Sequence, residues 1–458
     1  MDRGSGTAER KKLSGRKALG IVSLASGIVL LVCVVGYLSF PDAFVRRFLE
    51  ERITKGFAAS YPDYSIRISG LHFDLMKNRI ACDTVAVSRN DSTFFCSAAS
   101  LSVSGIRWLE VLRGQSALLQ SLGGSALEAG EVDMAFQPSG YGLKCGPLRM
   151  SVPDSEIAAE ALEIHPLVDD EQFLGESRFR KTRFGMSARQ CRLGGLACVD
   201  LLQGKNIHVR SVVFRDVALD VLINKDKPSA VDSRSPRMPN EIMSSMKDTV
   251  GLDSLIISGG RMLYCERFVI GRKPATLTFD DMQVLVTGIA SHAGPAAGAT
   301  VQARAIFMGS GTVNLAMSIP LSVREFSFRY SGSLGGMDLS RLNPWLEPSD
   351  QSRIKSGMLG SASFAVDVRT GSATGSVNAV YRDLVVASIS RRTGSESGLM
   401  ERFTSWVAKN VTIRRTNTPD RSGAMKIGTV KYARKKNEPF FGFAWFALRT
   451  GVGDVVGF

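Results

Sequence analysis

The chain has 458 residues, with 57 Lys and Arg against 43 Asp and Glu, and so a formal net charge of +14. At 44% hydrophobic residues and a mean hydropathy of +0.04, it is too apolar for a disordered chain and too polar for a polytopic membrane protein. The 45 Gly have no three-residue period, which excludes collagen, and 4 His with 7 scattered Cys leave little material for a metal site. The length allows two or three domains, or one elongated β architecture.

From Ala18 to Phe40 there is no charged residue. A helix over 18–40 is about 35 Å long, enough to cross a hydrocarbon core of roughly 30 Å. Arg3, Arg10, Lys11, Lys12, Arg16 and Lys17 precede it, opposed by Asp2 and Glu9. The positive-inside rule then makes 1–17 a cytoplasmic tail, 18–40 a single-pass transmembrane anchor, and sends the rest across the membrane. Tyr37 and Phe40 fall at the level of an aromatic belt. The rival, a cleaved signal peptide, fits less well: the run exceeds a 7–15-residue apolar region and the exit Tyr37–Pro41 has no A-x-A-like site. Cys33 follows Val32, where a lipoprotein signal needs a small residue.

Residues 41–61, with Phe44, Phe48 and Leu49 beside Arg46, Arg47, Glu50 and Glu51, predict an amphipathic connecting helix. After Pro62 the pattern turns to period two. Tyr64, Ile66 and Ile68 alternate with polar residues, as do Val217, Leu219, Val221 and Ile223, then Val313, Leu315, Met317 and Ile319, then Phe326, Phe328 and Tyr330. Such rows predict sheets with one apolar and one polar face, punctuated by Gly-rich turns such as Gly309-Ser310-Gly311. The expected fold is mainly β, with a few short flanking helices. Its parts are a first sheet portion at 62–224, a Pro- and Ser-rich loop or linker at 225–239, a second portion at 240–433 and a basic-aromatic segment at 434–458. Asn240 is the expected cap of a short helix through Ile242, Met243 and Met246. Leu399, Phe403, Trp406 and Val407 share a helical face that Ser395 or Ser397 would cap.

A phrase recurs: aromatic, any residue, Asp, then apolar residues at alternate positions. It occurs at Phe214-Arg215-Asp216-Val217, Phe279-Asp280-Asp281-Met282 and Tyr381-Arg382-Asp383-Leu384. The spacings are unequal, so no propeller or solenoid of equal coils follows. A turn Asp bonding its own backbone before a strand is the expected cause.

Catalytic signals are thin. Ser244-Ser245-Met246-Lys247 spells S-x-x-K, but the K-T-G and S-D-N partners are absent. Gly394–Gly398 has Glu396 where a nucleophile elbow needs Ser. Nucleotide-loop and zinc motifs are missing, and His72, His165, His208 and His292 are dispersed, so no catalytic residue, metal ligand or cofactor is assigned. Across the membrane, Cys82, Cys96, Cys145, Cys191, Cys198 and Cys265 either stay free on strands or form a disulfide, with Cys191 and Cys198 nearest in sequence.

The C-terminal segment sets Arg434, Lys435 and Lys436 before Phe440, Phe441, Phe443, Trp445 and Phe446. Two placements are open for these five aromatics: contact with a membrane or partner, where cations meet anionic head groups, or packing onto the sheet. Nucleic acid is not an expected partner, because the anchor puts the domain on the far side of the membrane.

The chain resembles the AsmA-like proteins of Gram-negative envelopes, relatives of TamB and YhdP. The resemblance is carried by Gly70-Leu71-His72-Phe73-Asp74-Leu75 through Ile80, Val85 and Val87, and by Leu252–Tyr264 as a strand–Gly–strand unit. Gly336-Met337-Asp338-Leu339-Ser340-Arg341-Leu342-Asn343-Pro344, Ile354-Lys355-Ser356-Gly357, Gly375 and Tyr381-Arg382-Asp383-Leu384 complete it. It implies an anchor in the inner membrane and a periplasmic, elongated antiparallel sheet curled into an apolar groove that shields acyl chains moving between inner and outer membrane, in outer-membrane biogenesis. Leu315, Met317, Phe326, Phe328 and Tyr330, on the alternating rows, are the expected lipid-groove residues. Membrane phospholipid is the expected partner, with an outer-membrane protein or lipid-transfer partner at the distal end. Roughly 13–15 residues per strand and turn give some 25–30 strands and a groove on the order of 120–140 Å. The alternative is a structural or assembly factor for outer-membrane proteins that carries no lipid.

Overall fold

The computed structural model describes residues 50–51, 53–59, 61–74, 78–105, 122–196, 207–229, 235–291, 298–321, 326–389 and 413–457. The expected anchor at 18–40, the helix at 399–407 with Ser395 and Ser397, the Gly394–Gly398 turn, His292 and Cys198 lie outside them. Among the described residues no helix is long and apolar enough to cross a membrane. The described part of the connecting segment, 50–51 and 53–59, is helical.

The strands begin with β1 (Tyr64–Ser69), β2 (His72–Asp74), β3 (Arg79–Arg89) and β4 (Phe94–Ser104). Next come β5 (Ala126–Ala129), β6 (Glu131–Phe136), β7 (Tyr141–Cys145), β8 (Leu148–Ser151) and β9 (Glu156–Pro166). Helix α1 (Asp170–Gly175) leads to β10 (Thr182–Gly194) and β11 (Ile207–Asn224), and α2 (Pro239–Ser245) to β12 (Val250–Arg267). β13 (Ala275–Ala290), β14 (Gly298–Phe307), β15 (Gly311–Pro320), β16 (Phe328–Leu334) and β17 (Met337–Asp338) follow. After α3 (Asn343–Asp350) come β18 (Ser352–Arg369), β19 (Ser372–Ser388), β20 (Ile427–Ala433) and the helix α4 (Phe440–Val456).

The twenty strands of the described residues join one sheet. Four pairs share a position side by side: β1 with β2 on β3, β5 with β6 on β4, β7 with β8 on β9, and β16 with β17 on β18. The stack is therefore sixteen positions deep, and at 4.7–4.9 Å per strand it measures about 70 Å along its contour. That corrects the longer groove expected from sequence. The strands are themselves longer than assumed, with β11, β12 and β18 of 18 residues each, so the described residues make fewer of them.

The sheet is mostly antiparallel, with β11 and β12 running parallel. Parallel neighbours need a crossover, which residues 225–249 supply. This is where the Pro-rich segment sits. Met238 is fully buried, and the Arg434 guanidinium donates to the Pro236 carbonyl at 2.8 Å. The sheet runs on across it. Pro239 occupies the first turn of α2, where its missing N–H is harmless. The cap is therefore Met238, whose N–H donates to Glu241 at 2.7 Å, and Asn240 lies inside the helix rather than capping it.

The recurring Asp residues are not turn residues before strands. Asp216, Asp281 and Asp383 lie inside β11, β13 and β19 with φ of 51°, 49° and 56°. The ladder shifts register beside Asp281 and Asp383, which mark β-bulges, whereas at Asp216 the pair skips one residue on each strand, from Arg215↔Ser258 to Val217↔Gly260, and stays in register. Asp tolerates the left-handed backbone at all three positions better than a branched residue does. Ala161 on β9 and Gly259 on β12 take the same conformation, so a line of left-handed kinks, the bulge line, crosses neighbouring strands. Each kink restores the inward phase, so Phe214 and Val217 point to the same face.

At the ends of β10–β12, α1 is held by charge. Arg183 pairs with Asp170 and Asp220, each at 2.9 Å, and Arg267 with Glu171 at 2.8 Å and Asp226 at 3.2 Å. The Lys227 ammonium donates to the carbonyls of Leu174 and Gly175, where the helix leaves acceptors unpaired.

Candidate functional site

Register and alternation build two apolar lanes on one face of the sheet, one on each side of the bulge line. The first runs from Ile80 through Val103, Leu127, Met150 and Ile157. It continues through Leu193, Val212, Leu255, Val286 and Val301, and then Met317, Tyr330 and Val366. The second joins Ile66, Val87, Cys96, Met134 and Leu143 to Ile164, Met186, Leu219, Met262, Phe279 and Phe307. Cys96 and Met134 of the second pack in one cluster with Leu193 of the first, so both face the same way. The opposite face is polar. Ser211, Ser254, Thr287, Thr300, Ser318, Arg329, Asp367, Thr374 and Lys431 are successive neighbours across nine strands.

The lanes change character along the sheet. From Ile80 to Val301, and from Ile66 to Phe307, the side chains are half-buried. From Met317 onward they are buried, in one cluster with Met238 and Met243 of the α2 region and with α4, which lies on Phe328 and Tyr330. The Tyr330 hydroxyl donates to the Ala444 carbonyl at 2.8 Å, and burial holds that phenol well above its ordinary range. The Phe328 ring is 4.9 Å from Phe440 and 6.2 Å from Phe443, and Phe326 is 5.9 Å from Phe440. Helix and sheet touch backbone to backbone at Gly428, where a Cβ would lie 2.1 Å from the Gly451 carbonyl oxygen. α4 also closes the β20 edge. Asp454 accepts from Thr429 N–H at 2.7 Å, and the Thr450 hydroxyl from Lys431 N–H at 3.4 Å. The Lys426 ammonium at 2.8 Å and the Thr429 N–H hold the Asp454 carboxyl below its ordinary range.

The five groove residues expected from sequence thus divide. Leu315 is half-buried on a row with Ile257, Val284 and Ala303. Met317, Phe326, Phe328 and Tyr330 face the apolar interior, but α4 occupies the space above the three aromatics and Met317 is buried in the same cluster. The C-terminal aromatics divide as well. Phe443 is fully buried and Phe440 half-buried against the sheet, whereas Phe441, Trp445 and Phe446 point outward. The sequence reading missed the second lane's continuity; the recurring aromatic-x-Asp phrase was its visible trace.

Two open troughs of about 650 Å³ each border this sheet, one crossed by Gln283, Arg304, Asn314 and Leu315, the other by Ser333, Ser363 and Asn378. Neither gathers a nucleophile with a base. The Ser244 hydroxyl bonds the Glu241 carbonyl, and Lys247 lies beyond the end of α2, where the chain is already extended at Met246, so the two are not one helical turn apart. His208 pairs with Asp253 at 2.9 Å on the surface, and His165 packs against Gly142. Cys82, Cys96, Cys145, Cys191 and Cys265 are free thiols, and burial pushes Cys191 up to about 11. Among the described residues no group of three or more His, Cys, Asp or Glu is placed to hold a metal ion.

The chain matches no protein-family model and no curated protein.

Proposed function

We propose that this protein is an inner-membrane-anchored, periplasmic AsmA-like protein that binds lipid acyl chains on the apolar face of its sheet and conducts them toward the outer membrane. The observation that carries the reading is the pair of partly exposed apolar lanes running from β1 to β14. Covering the minor part of a Val, Leu, Ile or Met side chain that is still open contributes about 0.5 kcal/mol. About twenty such side chains then leave on the order of 10 kcal/mol of burial unused, as an upper bound. Acyl chains suit this surface because they need length and no hydrogen-bond partners. A β-bulge adds right-handed twist where it falls, and added twist is what a long sheet needs to curl into a groove. The lipid-binding stretch is β1–β14 with Leu315 at its end, rather than the part under α4.

A second reading, a scaffold that carries no lipid, draws on α4 itself, since the chain's own side chains fill the face from β15 to β20. Native mass spectrometry with lipid extraction on the full chain separates the two. Phospholipid should co-purify with the parent and be lost from Leu219→Asp and Leu315→Asp variants whose melting is unchanged. A folded parent free of lipid supports the scaffold.

A further inference from the structure

α4 is apolar on both sides. Its inner side meets the sheet, while Phe441, Trp445, Phe446 and Val452 on the outer side are 78, 46, 36 and 41% exposed. Large exposed apolar residues gathered on one helix mark a contact surface. The polar side chains of α4 are all turned to the protein. Arg449 pairs with Asp350 at 3.2 Å, the Thr450 hydroxyl donates to the Ala447 carbonyl at 2.7 Å, and Asp454 is held by Lys426. Apart from the Trp445 indole N–H, which suits the head-group boundary, the outer face presents no directional polar group with which to read a protein partner. The charges beside it are positive. Lys435 and Lys436 are exposed in the turn entering α4, while Glu438 is buried, bonded by the Tyr432 hydroxyl and the Lys435 N–H.

We propose that the outer face of α4 docks on a bilayer surface rich in anionic phospholipid, with Phe441 and Trp445 entering the interface and Lys435 and Lys436 meeting the head groups. Aromatic rings at the boundary and cations at one end are what an interfacial helix requires. This contact lies far along the chain from residues 18–40, so it is a second membrane contact. It does not need the apolar lanes to carry lipid: a chain purified free of lipid still passes or fails the test.

The full chain, held in amphipol on beads, is offered vesicles of phosphatidylcholine alone or mixed with phosphatidylglycerol. The parent should capture the mixed vesicles, a Phe441→Ser/Trp445→Ser variant at least about tenfold less, and a Lys435→Gln/Lys436→Gln variant about tenfold less on the mixed vesicles alone. The deciding readout is quenching of Trp445 by brominated lipid, taken as the difference between the parent and Trp445→Phe, which keeps an aromatic ring and the same melting temperature. Quenching of that component supports docking whatever other segments add to capture. Without it the proposal fails whatever the capture, and a protein partner becomes the reading of this face.

Discussion

Asp216 on β11 and Gly259 on β12 lie side by side in the parallel pair, both in left-handed backbone with φ of 51° and 71°. A Cβ at Gly259 would sit 3.0 Å from the Asp216 carboxylate oxygen. The two residues form one joint of the bulge line. Across that joint both strands shift phase, and the apolar face continues from Phe214 to Val217 and from Ile257 to Gly260.

Gly259→Ala should therefore destabilise the fold by about 1–2 kcal/mol, through left-handed strain and a crowded Cβ. Asp216→Val should cost a similar amount, because a branched residue resists this φ, whereas Asp216→Gly should stay within about 0.5 kcal/mol. Thermal melting followed by circular dichroism checks all three. Equal losses for Val and Gly at position 216 would point to the Arg189–Asp216 ion pair rather than the backbone.

The seat of α4 depends on glycine. A Cβ at Gly451 would fall 2.6 Å from Val430 Cγ2 and 2.7 Å from Val377 Cγ2. Both neighbours are β-branched and stiff, so Gly451→Val should overpack the contact and cost about 1–3 kcal/mol. Tyr330→Phe, which removes the buried hydroxyl bond to the Ala444 carbonyl, should cost about 1 kcal/mol. Hydrogen exchange over 440–456 should rise in both variants, while exchange over β9–β12 stays as in the parent.

Closure of the β20 edge has a pH signature. The folded carboxyl of Asp454 titrates below its ordinary value, so its contribution is fully present above about pH 4 and fades as pH falls through the lower folded value. The protection of the Thr429 amide, its intrinsic exchange rate divided by the observed rate at the same pH, should fall on acidification in the parent. In Asp454→Ala that protection should be low at every pH.

The Cys191 thiol titrates near 11 when folded and near 9 when exposed. The unfolded chain loses that proton first as pH rises, so stability falls between about pH 9 and 11. Cys191→Ala should flatten part of this decline in urea melts across that range. Alkylation of Cys191 in the native chain at pH 8 should lag far behind alkylation in the denatured chain, since the thiolate is the reactive form.

Alternation along single strands was legible in the residues themselves. The rows at Ile66, Val217–Ile223 and Leu315–Ile319 are strands with the expected inner face, because side-chain direction in a strand depends only on parity. The Pro- and Ser-rich stretch at 225–239 read as a loop or linker, and that it belongs to the crossover of a parallel pair was not legible. The bulges were visible as a repeated phrase but not as a structure, since an Asp after an aromatic reads equally as a turn. What the chain alone left undecided is what covers the apolar face. Phe328 and Tyr330 look like their partly exposed counterparts on earlier strands, and they differ because α4 lies on them. Tyr330 and Ala444 meet across more than a hundred residues. The same distance decided the aromatic cluster: helical spacing put Phe440 and Phe443 on one side of α4 and Phe441 and Trp445 on the other, but only docking against β16 and β20 chose which side is buried. Local chemistry sets which way a side chain points. Only the packing of distant segments sets whether protein lies there to meet it.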